Sequence, residues 1–129
     1  MQPRLDVLVV DDEPALREVL ALRLADWGHD ARTVATATDA ERAIAARLPD
    51  LVLCDVVLPG SSGLGLLLRV REQQSALPVV MMTAHGNIDS AVEAMKAGAN
   101  DFLTKPLDYV TLRSLLDAVA REVARRQRT

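Results

Sequence analysis

The chain predicts an alternating α/β domain, a doubly wound (βα)5 fold around one five-stranded parallel sheet. Three observations carry this. Short apolar runs, most of them rich in Val and Leu, alternate five times with segments of helical periodicity. The runs are nearly continuous in apolar residues, as strands covered on both faces are, and the intervening helices imply right-handed crossovers. Four of the runs also stop at a polar residue (Asp, Thr or Lys), and in a parallel sheet those stops fall on one edge.

The elements follow in order. Leu5-Asp6-Val7-Leu8-Val9-Val10 reads as a strand buried on both faces, stopping at Asp11-Asp12. Pro14 opens the first helix, where its missing N–H costs nothing. Leu16, Val19, Leu20, Leu24 and Trp27 then recur at helical spacing, and Gly28 closes the helix. A weak strand follows near residues 31–34. Thr38 with Glu41 is a capping-box signature for the second helix, which buries Ala40, Ala43 and Ile44, with Leu48 the last candidate for that face before Pro49. Residues 51–54 form the third strand, ending at Asp55. The loop Leu58-Pro59-Gly60-Ser61-Ser62-Gly63 leads into a helix over 64–74. The fourth strand, 78–82, ends at Thr83. Asn87 caps a helix carrying Ile88, Ala91, Val92, Ala94 and Met95, closed by Gly98. Residues 101–103 are a short fifth strand ending at Thr104-Lys105-Pro106. Asp108 caps the last helix, whose stripe of Leu112, Leu115, Leu116, Val119 and Val123 is the clearest in the chain. Residues 1–120 thus make one domain, and the basic stretch 121–129 reads as a helix extension or the start of a linker.

Composition narrows the function classes. The chain has 129 residues, half of them apolar, and at roughly 150 residues per domain this leaves room for one. Fifteen Lys and Arg against eighteen Asp and Glu give a net charge of −3, which argues against direct nucleic-acid binding by the domain. Trp27, Phe102 and Tyr109, the only aromatics, supply no base-stacking platform. A single cysteine, Cys54, excludes an intramolecular disulfide and fits a reducing, cytoplasmic setting. No apolar run reaches the roughly 18 residues of a membrane span, and no signal-peptide pattern is present.

The strand ends hold the chemistry. Ligands of open parallel sheets bind outside the carboxyl ends of the strands, and here that edge collects Asp11, Asp12, Asp55, Thr83 and Lys105. One aspartate there is usually a cap or turn former, but five matching placements are not coincidence. Two like charges about 4 Å apart repel by about 4 kcal/mol at an effective dielectric of 20. A divalent cation together with Lys105 neutralises the three carboxylates. Hard oxygen donors without a Cys/His cluster suit Mg²⁺, which completes its shell with phosphate oxygens and water. This supports phosphoryl transfer to a carboxylate, giving an acyl phosphate. Asp55 is the better-placed nucleophile, because the adjacent Asp11-Asp12 look like the metal-holding pair.

At these residues the chain resembles the receiver domain of bacterial two-component response regulators, over about residues 5–120. The motifs are Val9-Val10-Asp11-Asp12-Glu13-Pro14, Asp55-Val56-Val57-Leu58-Pro59 with Gly63, Thr83-Ala84, and Lys105-Pro106. The resemblance implies a flavodoxin-like (CheY-like) fold with strand order 2-1-3-4-5. It implies Asp55 as phosphoacceptor and Mg²⁺ held directly by Asp12 and Asp55, partly through water by Asp11, and by the backbone carbonyl of Val57. Thr83 and Ala84 would form the phosphoryl-binding turn with Lys105, and Phe102 would be the aromatic switch turning inward when Thr83 moves. Val57 and His85 match positions facing the attacking water and would tune dephosphorylation. Pro106 is a candidate for a cis peptide bond. Leu58 and Ser62 stand where Met and Asp are frequent in the family. Residues 83–102 look especially like receivers of the NtrC type, which precede an ATPase and a DNA-binding domain in sigma-54-dependent transcription activators.

The implied partners are a histidine kinase and an output domain or target met by the last two helices and fifth strand, with a phosphorylation-dependent homodimer as a further option. Four alternatives stand beside this: a stand-alone single-domain response regulator, a Mg²⁺-dependent phosphohydrolase, an FMN carrier, and solvated surface roles for the individual polar residues. The hydrolase would need a separate acid/base and a cap, and a flavin would need a phosphate-cradling loop where Asp11-Asp12-Glu13 stands. Of the remaining residues, Cys54 reads as a core thiol and Trp27 as a core anchor. One of Met81 and Met82 reads as core packing, and His29 as exposed in a loop. The C-terminal arginines read as a solvated helix end complementing the helix dipole.

Overall fold

A computed structural model describes residues 2–84 and 87–127. The continuous apolar runs become β1 (Asp6–Val10), β2 (Asp30–Val34), β3 (Leu51–Asp55), β6 (Val79–Ala84) and β7 (Asp101–Lys105). They pair in parallel in the order β2-β1-β3-β6-β7, which is 2-1-3-4-5 when only this sheet is numbered. Five helices connect them: α1 (Pro14–Asp26), α2 (Ala37–Ala46), α3 (Gly63–Gln73), α4 (Ile88–Lys96) and α5 (Tyr109–Gln127). Between β3 and α3 lies a small antiparallel hairpin, β4 (Val57–Leu58) with β5 (Ser61–Ser62), where the sequence suggests a plain loop. Its turn needs a positive φ, 66°, at Gly60.

Strand alternation sorts the core into two layers. Val7, Val9, Leu51, Leu53, Val80 and Met82 face one side and pack with Leu20 and Leu24 of α1 and Leu112, Leu116 and Ala120 of α5. Leu8, Val10, Val52, Cys54, Val79 and Met81 face the other and pack with α2, α3 and Ala94 of α4. Both Met81 and Met82 are therefore core. Each such Val or Leu contributes about 1.5–3 kcal/mol on burial, whereas an exposed ion pair contributes about 0–1 kcal/mol. The layers, not the surface charges, hold the fold.

Several boundaries differ from expectation, each for a local reason. The cap of α2 is Thr36, whose Oγ1 accepts from the Asp39 N–H at 3.1 Å, so Thr38 lies inside the helix and Glu41 pairs instead with Arg69. That earlier start ends α2 at Ala46 and leaves Leu48 52% exposed. In α4, Asn87 caps as expected, but Ala91 and Ala94 alone are buried; Ile88, Val92 and Met95 face outward, Ile88 at 72% exposure. Val19 of α1 is likewise more exposed than a core stripe requires. The helix α5 continues to Gln127, with Arg125 and Arg126 paired to Glu122.

The amino edge of the sheet is tied by guanidinium groups. Arg32 of β2 forks onto Asp6 and also donates to the carbonyls of Ala43 and Arg47 that end α2. Arg71 of α3 reaches the carbonyls of Leu77 at 2.7 Å and Gly98 at 2.8 Å, and Asn100 Oδ1 at 2.8 Å. Nothing in the periodicity announces either clamp. On the other face, Arg23 stacks over Tyr109 and Arg113 over Trp27, joining α1 to α5.

His29 is a correction. It is buried, because Gly28 with φ 89° folds the α1–β2 turn back onto the sheet edge. There its Nδ1 accepts the backbone N–H of Leu5 at 3.0 Å. An accepting nitrogen must be unprotonated, and burial holds the ring below the usual histidine range, Arg4 in the same sense, against the opposing pull of Asp117 and Asp30. A folded-state pKa below the unfolded one means that the unfolded chain binds more protons as pH falls. We expect stability to urea to be constant between about pH 7 and 8 and to fall below about 6.5. His29→Gln, which keeps an acceptor, should flatten that slope; an unchanged slope would show that other groups dominate.

Candidate functional site

Strand register builds the site. Val10 pairs with Cys54, so Asp11 and Asp55 emerge side by side from β1 and β3. Asp55 pairs with Met82, which places Thr83 just beyond it. Ala84 pairs with Lys105 at the end of β7. The stops seen in the sequence therefore meet at one edge, although β6 and β7 each run two residues further than expected and take Thr83 and Lys105 into the ladder.

Lys105 Nζ donates to Asp11 Oδ2 and to Asp55 Oδ2, both at 2.7 Å. Asp11 is fully buried, with its other oxygen, Oδ1, accepting from the Glu13 N–H at 2.8 Å. Asp55 Oδ1 accepts from the Val57 N–H at 3.0 Å. Asp12 is exposed at the rim. Ligand oxygens of Asp11, Asp12 and Asp55 all lie within 4.8 Å of one another. Burial raises the Asp55 carboxyl above the usual carboxylate range, with Asp11 adding to the rise and the bonds from Lys105 and Val57 opposing it. Burial alone lowers Lys105, but its bonds to the two aspartates outweigh that and raise it. The ammonium therefore stays charged, and the three carboxylates with it leave a net charge of minus two. The donor set is all hard oxygen, close-packed and partly open to water, and it fits a divalent cation of the Mg²⁺ kind.

Thr83 is the second mark of the site. It is 1% exposed, and its Oγ1 is the only buried side-chain oxygen or nitrogen among the described residues without a hydrogen-bond partner. A lone buried hydroxyl costs about 1–3 kcal/mol, and such a cost persists where the group serves a ligand. The Lys105–Pro106 peptide bond is cis. Phe102, next along β7, is 38% exposed. Val57 shows its side chain to solvent at 69% exposure. Ala84 ends β6, exposed. His85 lies outside the described residues.

Two residues are more important to the site than the sequence reading allowed. A β-carbon on Gly63 would sit 1.9 Å from the carbonyl oxygen of Asp55, because the hairpin returns over the end of β3 and the Gly63 N–H donates to Val56 O at 2.8 Å. Only glycine fits there. Arg17 Nη1 donates to the carbonyl of Asp11 at 2.7 Å. Gly63 stood in a motif and was visible as a position though not as a contact, while Arg17 carried no signal. Cys54 is buried, donates to the Asp55 carbonyl, and is pushed well above its ordinary pKa by burial and then by Asp55 and Asp11. It is an inert core thiol.

Comparison with known proteins agrees with this geometry. Residues 7–117 match the family model of the response regulator receiver domain. The chain is 42% identical over 118 residues to the response regulator protein PilR of Pseudomonas aeruginosa, covering 92% of this chain and 26% of that protein. It is 46% identical over 105 residues to the nitrogen assimilation regulatory protein NtrX of Azorhizobium caulinodans, covering 80% of this chain and 23% of that protein. The crystal structure of the receiver domain of NtrX from Brucella abortus superposes with a TM-score of 0.85 at 43% identity, covering 90% of this chain and 98% of that one. The chain spans about a quarter of the length of the curated relatives it matches. Among the described residues no helix is long and apolar enough to cross a membrane.

Two substitutions read the electrostatics directly, by urea unfolding in EDTA. Thr83→Val removes the lone hydroxyl at nearly constant shape and should leave stability unchanged or raise it by about 1 kcal/mol. Lys105→Met strands two carboxylates and should cost up to about 3 kcal/mol, less to the extent that water reaches them. A clear loss in Thr83→Val would mean that the hydroxyl has a partner after all.

Proposed function

Because the chain belongs to the response regulator receiver domain family, we propose that Asp55 accepts a phosphoryl group from a partner histidine kinase. The observation that carries this is the ammonium of Lys105 bridging Asp11 and Asp55 at 2.7 Å each, beside the unpartnered hydroxyl of Thr83. Asp12 and Asp55, with Asp11 through water and the carbonyl of Val57, would hold Mg²⁺. When bound, that ion supplies positive charge for the phosphoryl oxygens as charge develops on them.

The chain's own groups do the rest. An Asp55 oxygen attacks phosphorus in line, the bond from phosphorus to the donor nitrogen breaks with its electron pair leaving on nitrogen, and an acyl phosphate remains on Asp55. Lys105 holds its proton throughout and moves from bridging two carboxylates to pairing with a phosphoryl oxygen. The Thr83 hydroxyl donates to another, drawing in the β6 end at Ala84. Phe102, now half outside, then has space to turn inward. A ligand biases two conformations only by its different affinity for them, and Thr83 and Lys105 provide that difference. The readout surface is α4, β7 and α5, facing an output domain that controls transcription as in regulators of the NtrC type, or a second copy of the chain. Residues 1–120 form the switch, and 121–129 lead toward the output domain. The setting is the bacterial cytoplasm.

Intact mass after incubation with a small phosphodonor and Mg²⁺ should show one phosphoryl adduct, absent in Asp55→Asn and with EDTA. Mg²⁺ alone should raise the melting temperature by relieving repulsion among the carboxylates. An adduct surviving in Asp55→Asn would move the acceptor elsewhere. The adduct should also persist for minutes or longer, because the apolar Val57 side chain at the mouth offers an attacking water no hydrogen bond. Loss within seconds, or no lengthening relative to Val57→Asn, would remove that role for Val57.

A further inference from the structure

We propose that Arg17 is the positioning residue for Asp12: by holding the carbonyl of Asp11, it aims the rim carboxylate that receives the divalent cation. This rests on the pocket reading above and deepens it. Asp12 is exposed, and among the described residues no hydrogen bond or ion pair holds its carboxylate. With no contact on the side chain, only the backbone limits the region that its rotamers can reach. The Asp11 carbonyl and the Asp12 N–H share one planar peptide unit, so fixing that oxygen fixes the bond from which Asp12 projects.

Everything else about Asp11 is anchored from other directions. Its N–H donates to Val34 O at 3.1 Å, and its two carboxylate oxygens accept from Glu13 N–H and Lys105. The bond from the Glu13 N–H closes an Asx turn over Asp12, but none of these bonds holds the Asp11 carbonyl oxygen itself. Arg17 adds that hold from the second turn of α1, with a charge-assisted bond of 2.7 Å. Its use of charge is also telling. Arg17 is a cation beside an acidic cluster, yet among the described residues it pairs with no carboxylate. A guanidinium on a carbonyl stiffens the loop and leaves all three aspartates available to the metal.

Charge and position predict opposite signs, and this makes the test sharp. Removing a nearby cation should, by Coulomb's law alone, tighten binding of another cation. Removing a positioning contact should weaken it. Titrating Mg²⁺ alone into the full chain, followed by calorimetry or amide NMR shifts, we expect Arg17→Met to bind about tenfold more weakly, in the range for lost supports of metal ligands. Arg17→Lys, with a shorter reach to the same carbonyl, should recover part of the loss, and it keeps the test alive should the Met variant fold poorly. At saturating Mg²⁺, phosphorylation of Asp55 by a small phosphodonor should return to the wild-type rate. Affinity unchanged or tighter in both variants, or a lowered metal-free melting temperature as the sole effect, overturns the proposal. Absence of saturable Mg²⁺ binding by the wild type removes the pocket reading itself.

Discussion

One ammonium group lets three carboxylates share the end of a sheet. Asp11 and Asp55 leave adjacent strands whose spacing is fixed by the ladder, so they cannot relax apart, and Asp12 follows within one residue. Lys105, on a strand two places away from β3, reaches across to both. It lowers the repulsion enough for a folded protein and not enough for neutrality. The remaining negative charge suits a small divalent ion, and in the proposed function a phosphoryl group would give Lys105 a new partner.

That arrangement depends on the two apolar layers more than on any polar contact. The strands are pinned by side chains that alternate between α1 with α5 on one face and α2, α3 and α4 on the other. Because the register is set by burial, shifting one strand by a residue would turn its apolar set toward the wrong layer. Precision at the carboxyl edge is therefore inherited from packing several residues away. Gly63 shows how tight that inheritance is, since the hairpin lies against the end of β3 with no space for a methyl group.

The architecture was legible in the chain because apolar runs and polar stops are local signals. The same holds for Asn87 and Asp108 as caps, and for the clustering of Asp11, Asp55, Thr83 and Lys105. What stayed hidden depends on non-local geometry. Thr36 and Thr38 are equivalent as letters, and only the approach of the chain from β2 selects Thr36. His29 looked like loop because glycine precedes it, yet that glycine turns the ring inward. Ile88, Val92 and Met95 kept helical spacing without a core to face, because two alanines suffice to seat α4 on the sheet. Arg17, Arg32 and Arg71 act on backbone carbonyls, and no side-chain pattern records that.

Of the arginines that hold backbone carbonyls among the described residues, Arg17 alone sits at the carboxylate rim. Arg32 with Asp6 and Arg47, Arg71 with Asn100, and His29 with Leu5 all fasten the rim where the strands begin. The opposite rim carries the carboxylates, a solitary hydroxyl and an outward-facing helix start. In the proposed switch, the rim where the strands begin would then act as a fulcrum: a displacement at Thr83 would lever the near ends of α4 and β7 while their far ends stay fastened.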